Sequence, residues 1–170
     1  MINPSFENFF SYTPLEFDIV SHTLTLGFAV MLAALFYFVL TIRTVAPRYR
    51  ISSVLSVVVM VSAFLILFYQ QQSWTSAFAF NAETGLYERT AGSDPFTNGF
   101  RYLNWLIDVP MLLFQILFIV EISRQKRATL RNWFFFSGAL MIITGYIGQF
   151  YERPAPGESI SSWFFIWGAI

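Results

Sequence analysis

Four polar side chains, Arg101, Asn104, Asp108 and Gln115, interrupt the stretch Arg101-Tyr-Leu-Asn-Trp-Leu-Ile-Asp-Val-Pro-Met-Leu-Leu-Phe-Gln, which lies in an otherwise apolar segment long enough to cross a bilayer. Such groups at membrane depth are costly and mark ion paths, proton relays or counterions. At about 100° per residue, their offsets of 0, 3, 7 and 14 fall within a sector roughly 60° wide on one helix face. A rise of about 1.5 Å per residue separates Arg101 from Gln115 by roughly 21 Å, most of a hydrocarbon core about 30 Å thick. The stretch is a ladder of polar stations through the membrane.

Asp108 is the sharpest of the four, because an ionised carboxylate in lipid requires a buried positive partner. Arg101 lies two helical turns away, roughly 10 Å along the axis, too far for a direct salt bridge. The missing cation then comes from a cofactor or from a later helix, and a structural hydrogen bond to a neighbouring helix is the plainer alternative. Pro110 withholds a donor from the carbonyl of Leu106 and predicts a bend beside Asp108.

The elements that position the ladder follow from composition. Hydrophobic residues make up 56% of the chain and charged ones 12%, against about a quarter charged in soluble domains. This composition indicates a membrane protein. The net charge is zero, which gives no basic surface for nucleic acid. With no cysteine and one histidine, His22, thiol chemistry and His- or Cys-based metal clusters are excluded. The first residues lack a basic region followed by a short apolar core, so no cleaved leader is expected.

Four apolar stretches predict membrane helices over Val20 to Ile42, Ser52 to Tyr69, Asn98 to Ile122 and Leu130 to Tyr151. A fifth starts at Ser159 and stops at Ile170, twelve residues long, which predicts the amino-terminal piece of a longer protein cut inside its fifth span. Arg43, Arg48 and Arg50 fill the first connection, and Arg124, Lys126, Arg127 and Arg131 the third. Glu83, Glu88 and Asp94 lie in the second, and Glu7, Glu16 and Asp18 in the amino-terminal segment, residues 1–17. The excess of positive charge on inside loops therefore predicts an external N-terminus. Pro4 to Phe10 reads as a short surface helix, and the long second connection, 70–97, as an exterior loop with a hairpin turning at Asn81 to Gly85.

On the neighbouring helix, Ser56 and Ser62 are candidates to face the ladder, or simply to pack. His22 reads as an interfacial or subunit-contact residue, Trp105 as a cofactor wall, and Glu152 as a carboxylate closing the fourth helix on the outside.

The pattern Arg101-Tyr-x-Asn-Trp-x-x-Asp-x-Pro closely resembles the third helix of the microbial rhodopsins, seven-helix proteins that hold retinal as a protonated Schiff base. The trio Asn104, Asp108 and Gln115 resembles the signature of their light-driven sodium pumps. Val59-Met-Val-Ser-Ala-Phe and Met141-Ile-Ile-Thr-Gly-Tyr-Ile-Gly-Gln-Phe-Tyr-Glu are similar to that subfamily as well. The resemblance implies an all-α polytopic membrane protein, the first five helices of a seven-helix bundle, in a bacterial inner membrane.

It further implies Asp108 as Schiff-base counterion and proton acceptor, and a transient Na⁺ site at Asn104, Asp108 and Ser62. Gln115, Ser56 and Ser53 would line the cytoplasmic uptake path, and Arg101, Glu152 and Glu7 the exterior exit. Trp105, Met141 and Gly145 would border all-trans retinal. The family's sodium pumps commonly form pentamers, with His22 and Asp94 as candidates for subunit contacts. The only lysine, Lys126, falls in a connection, so the Schiff-base lysine is expected outside this sequence. A light-driven proton pump, or a photosensor or light-gated channel, stands as the alternative.

Overall fold

The computed structural model describes residues 6–120 and 123–148, and the expected fifth helix lies outside these. A 3-10 turn at Phe6–Phe9 leads into α1 (Pro14–Thr41). A basic connection follows, then α2 (Arg50–Ala77) and the strands β1 (Phe78–Asn81) and β2 (Leu86–Arg89). Two further helices, α3 (Gly99–Ile119) and α4 (Arg124–Gly148), complete the described chain. α1 packs along α2, α2 along α3, and α3 along α4. Windows of α1 and α2 reach mean hydropathies of 2.2 and 2.6, long and apolar enough to cross a membrane.

Both of the first helices are longer than hydropathy predicts. α1 begins at Pro14 rather than Val20, because Thr13 and Glu16 form a capping box that satisfies the first backbone amides. α2 continues to Ala77 rather than ending at Tyr69. No glycine or proline interrupts 50–77, and its last turns bury Gln70, Trp74 and Ala77. The region from Gln70 to Ala77 is therefore helix and not loop. The first strand starts at Phe78, directly after this last helical turn.

The hairpin forms across the expected turn, with Phe78 opposite Arg89 and Asn81 opposite Leu86. Gly85 adopts φ 71°, a left-handed conformation that glycine takes without a side-chain clash. The Glu88 carboxylate accepts from Asn81 Nδ2 at 3.0 Å and Thr84 Oγ1 at 2.8 Å. These bonds hold it below the usual carboxylate range.

An aromatic cap closes this end of the helices. Trp74, 1% exposed, stacks on Phe17 at 5.6 Å and meets Tyr12, Phe78 and Phe96 edge-on or tilted. Tyr12 exchanges two backbone hydrogen bonds with Tyr87, 2.9 and 2.7 Å, and so adds the segment before α1 to the hairpin. Asn8 clamps the backbone of Phe96, donating to its carbonyl at 2.6 Å and accepting from its amide at 2.9 Å. At the other face of the bundle, a Cβ on Gly138 would come within 3.2 Å of Leu113. Glycine there permits close approach of α4 to α3.

Burial and the nearby Glu7 and Glu16 carboxylates push the Tyr12 phenol up to about 12, from an ordinary 10.0. Below pH 10 the phenol is neutral folded or unfolded. As pH rises from 10 towards about 12 the unfolded chain ionises first, so stability of the cap is lost over that window. Near-ultraviolet circular dichroism should fall across it in the parent chain. Tyr12→Phe should flatten the decline, and an unchanged profile would show that Tyr12 is not the responsible group.

Candidate functional site: a polar seam between the second and third helices

The rungs predicted on α3 find partners on α2, which runs antiparallel to it. Nearest the aromatic cap, Arg101 Nη2 and Nε donate to Gln70 Oε1 at 2.9 and 3.3 Å. Gln70 Nε2 in turn donates to Asn98 Oδ1 at 3.3 Å, and Asn98 Nδ2 to Glu7 Oε1 at 2.8 Å. Glu7 and Arg101 are thus joined through two amides. Gln70 is fully buried, and Glu7 Oε2 is buried without a hydrogen-bond partner among the described residues.

One and two turns further along, Ser62 Oγ donates to Asn104 Oδ1, and Asn104 Nδ2 donates to Asp108 Oδ2 at 2.6 Å. Asp108 is 4% exposed, and its other oxygen, Oδ1, is buried with no partner among the described residues. Half of this carboxylate is satisfied and half is open to a donor from elsewhere. A buried acceptor left without a partner costs about 1–3 kcal/mol, and more where it carries charge. It accordingly selects for a cationic or N–H partner.

At the far end, Gln115 Nε2 donates to Ser56 Oγ at 2.7 Å and to the carbonyl of Ser52 at 2.6 Å. Ser53, half-buried, is next to this contact in sequence. Six of the predicted residues, Arg101, Asn104, Asp108 and Gln115 on α3 with Ser56 and Ser62 on α2, therefore share one seam. Glu7 joins it at one end.

The remaining candidates lie to the side. The Trp105 ring sits 5.5 Å edge-on from Tyr102, which is 6.4 Å from Tyr146 on α4. Gly145 is buried beside Tyr146 and Met141 is partly buried on the same helix. His22 and Asp94 are exposed at the cap end, and Lys126 is exposed at the start of α4. Glu152 lies outside the described residues.

Sequence reasoning missed Gln70 and Asn98. The signal was present for Gln70: eight residues beyond Ser62, it rotates by only about 80° on a continuous helix. Ending the second span at Tyr69 placed it in a loop instead.

Among the described residues, no group of three or more His, Cys, Asp and Glu side chains could hold a metal ion. The chemistry available is that of one buried carboxylate flanked by neutral amides and hydroxyls, with a guanidinium at one end. Fold and site together define a class, a multi-helix membrane protein with a polar file running beside its third helix.

The chain belongs to the family of bacteriorhodopsin-like proteins, whose pattern matches residues 18–170. Proteins of this family are multi-pass and sit in the lipid bilayer. Among solved structures the chain is similar to xanthorhodopsin, described as a light-driven ion pump with dual chromophore. That match has 31% identity and a TM-score of 0.78, covering 94% of this chain and 62% of that one. A thermophilic rhodopsin gives 29% identity and a TM-score of 0.78, covering 94% and 59%. The rhodopsin of Exiguobacterium sibiricum shares the fold, with 19% identity, a TM-score of 0.62 and coverage of 89% and 58%. The chain thus spans about three fifths of the length of these relatives. No curated protein sequence matches it.

Gln70→Leu removes the acceptor for Arg101 and the donor to Asn98 while keeping similar bulk. Leaving those buried groups unpaired should lower the stability of the folded protein by about 1–3 kcal/mol or more. Thermal unfolding in detergent checks this. A variant as stable as the parent would show that Arg101 and Asn98 find other partners.

Proposed function

We propose that this chain supplies the counterion and the ion path of a light-driven outward sodium pump that uses retinal. The observation that carries the reading is the buried, unpartnered Oδ1 of Asp108 beside an Asn104 and Ser62 cluster. The residues present fit such a group, since a protonated Schiff base is the kind of buried N–H cation that this oxygen lacks. Bound through a lysine outside this sequence, retinal supplies the light-driven change that makes its proton available.

Asp108 balances that positive charge and takes the proton at Oδ1. Loss of that positive charge lowers the electrostatic barrier to a passing cation. Asn104 Oδ1, Ser62 Oγ and the Asp108 carboxyl oxygen Oδ2 then offer oxygen ligands, which suit a hard cation such as Na⁺. Gln115, with Ser56 and Ser53, lines the uptake side. Arg101, held by Gln70, opposes return flow towards the inside, and Glu7 with Glu152 lines the exit. Trp105, Met141 and Gly145 border the chromophore.

Sodium is favoured over protons by the chemistry of two positions. Neither the Asn104 nor the Gln115 amide takes up or gives a proton near neutral pH, so this stretch of the ladder holds one titrating group, Asp108. A chain of proton carriers would need more than that. The basic first and third connections favour an external N-terminus, which places Arg101 towards the exterior. The resemblance to sodium pumps further supports a homopentamer, with His22 and Asp94 at subunit contacts.

In cells expressing the complete protein, illumination in NaCl should raise the external pH by passive H⁺ influx, and a protonophore should enhance that rise. Acidification abolished by the protonophore would instead mean proton pumping. Asp108→Asn should abolish transport and shift the absorption to the red, because the counterion charge is gone. Normal Na⁺ transport by this variant would remove Asp108 from the mechanism.

A further inference from the structure

Glu7 reaches the seam from a segment outside the membrane helices, and two of its neighbours determine where its carboxylate stands. Asn8 is 6% exposed and Phe96 3%. The Asn8 side chain donates through Nδ2 to the Phe96 carbonyl at 2.6 Å and accepts through Oδ1 from the Phe96 amide at 2.9 Å. One planar side-chain amide thus pairs with both backbone groups of a single residue, as a neighbouring strand would. An ionised aspartate of the same size could accept but not donate, and alanine could do neither. Tyr12 grips the other side of Glu7, its hydroxyl donating to the Glu7 carbonyl at 2.7 Å.

These contacts set a register. Asn8 lies on Phe96 and Glu7 on Asn98, so adjacent residues of the segment meet alternate residues just ahead of α3. With the backbone gripped on both sides, Glu7 Oε1 accepts from Asn98 Nδ2 at 2.8 Å, while Oε2 is buried without a partner among the described residues. Chain near a terminus is poorly ordered unless tied down. A carboxylate carried on such chain would sample many positions besides this one.

We propose that Asn8 and Tyr12 are positioning residues for the exterior exit, acting through Glu7: they hold its Oε1 on Asn98 and so keep Oε2 in place for a departing cation. This rests on the reading of Glu7 as an exit residue of the pump. Neither positioning residue carries charge at neutral pH, so neither competes with Glu7 for the ion.

Two measurements on the full-length protein in lipid test the proposal. The side-chain ¹⁵N resonance of Asn98, read in the dark by solid-state NMR, reports its bond to the Glu7 carboxylate. Glu7→Ala should move it, and Asn8→Ala and Tyr12→Phe should move it towards the same position. Tyr12→Phe keeps the ring against Trp74 and Phe78 and removes only the hydroxyl. The second measurement is a double-mutant cycle on light-driven Na⁺ transport. Asn8→Ala should slow transport roughly fivefold where Glu7 is present, about the ratio that one net hydrogen bond sets. It should have no further effect in the Glu7→Ala background. A merely structural role would slow both backgrounds equally.

An Asn98 resonance that stays in place in Asn8→Ala and Tyr12→Phe overturns the proposal. So do equal losses of transport with and without the Glu7 carboxylate. Transport in Glu7→Ala as fast as in the parent removes Glu7 from the exit, and the proposal falls with it. Failure of the sodium reading shows differently, as a parent that moves no Na⁺, and the dark resonance then still decides whether Asn8 and Tyr12 place Glu7.

Discussion

A charged or amide group inside hydrocarbon must find its hydrogen bonds within the protein, and the ladder on α3 finds them chiefly on α2. Arg101 meets Gln70, Asn104 meets Ser62, and Gln115 meets Ser56 and Ser52. Each contact fixes the rotation of both helices about their axes. Together they fix the antiparallel register, because slipping α3 by one residue would turn the whole face by about 100° into lipid. The apolar remainder of both helices is far less demanding, since one aliphatic side chain packs against lipid or protein nearly as well as another.

The seam depends in turn on the cap that holds its open end. Trp74 is the centre of that cap, gathering Phe17, Tyr12, Phe78 and Phe96. The Asn8 clamp and the Tyr12 to Tyr87 bridge tie the segment before α1 to the hairpin after α2. The consequence for the site is direct. Glu7 is delivered to Asn98, and so an acid from the first residues stands two amides away from Arg101. Electrostatics at this end of the file are set by a segment more than ninety residues earlier in the chain.

The middle of the seam is built differently from its ends. Gln115 donates to both Ser56 and Ser52, and Gln70 both accepts from Arg101 and donates to Asn98, which rigidifies the contacts around them. Asp108 keeps one buried oxygen open, with Asn104 occupying the other. A buried network left incomplete at one atom is costly, and such sites mark function more often than packing. Close packing of α4 against α3 at Gly138 brings a further wall to the far side of α3 without adding any charge there.

Much of this was legible in the residues. The 3.6-residue period alone placed Arg101, Asn104, Asp108 and Gln115 on one face, and composition alone declared a membrane protein. Turn chemistry located the hairpin, whose Gly85 takes the positive φ that the turn requires. Helix ends were less legible. Hydropathy falls before the backbone hydrogen bonds do, so it puts Gln70 in a loop and misses the helix start set by Thr13 and Glu16.

The sequence by itself determined which groups had to be satisfied, because the cost of a polar atom in lipid does not depend on what packs nearby. Only the tertiary structure decided which partner satisfies each one. Ser62, Gln70 and Glu7 are distant from the ladder in the chain, and nothing local distinguishes them from serines, amides or acids that face elsewhere. Their choice follows from the aromatic cap and the antiparallel packing, which bring them within hydrogen-bond reach.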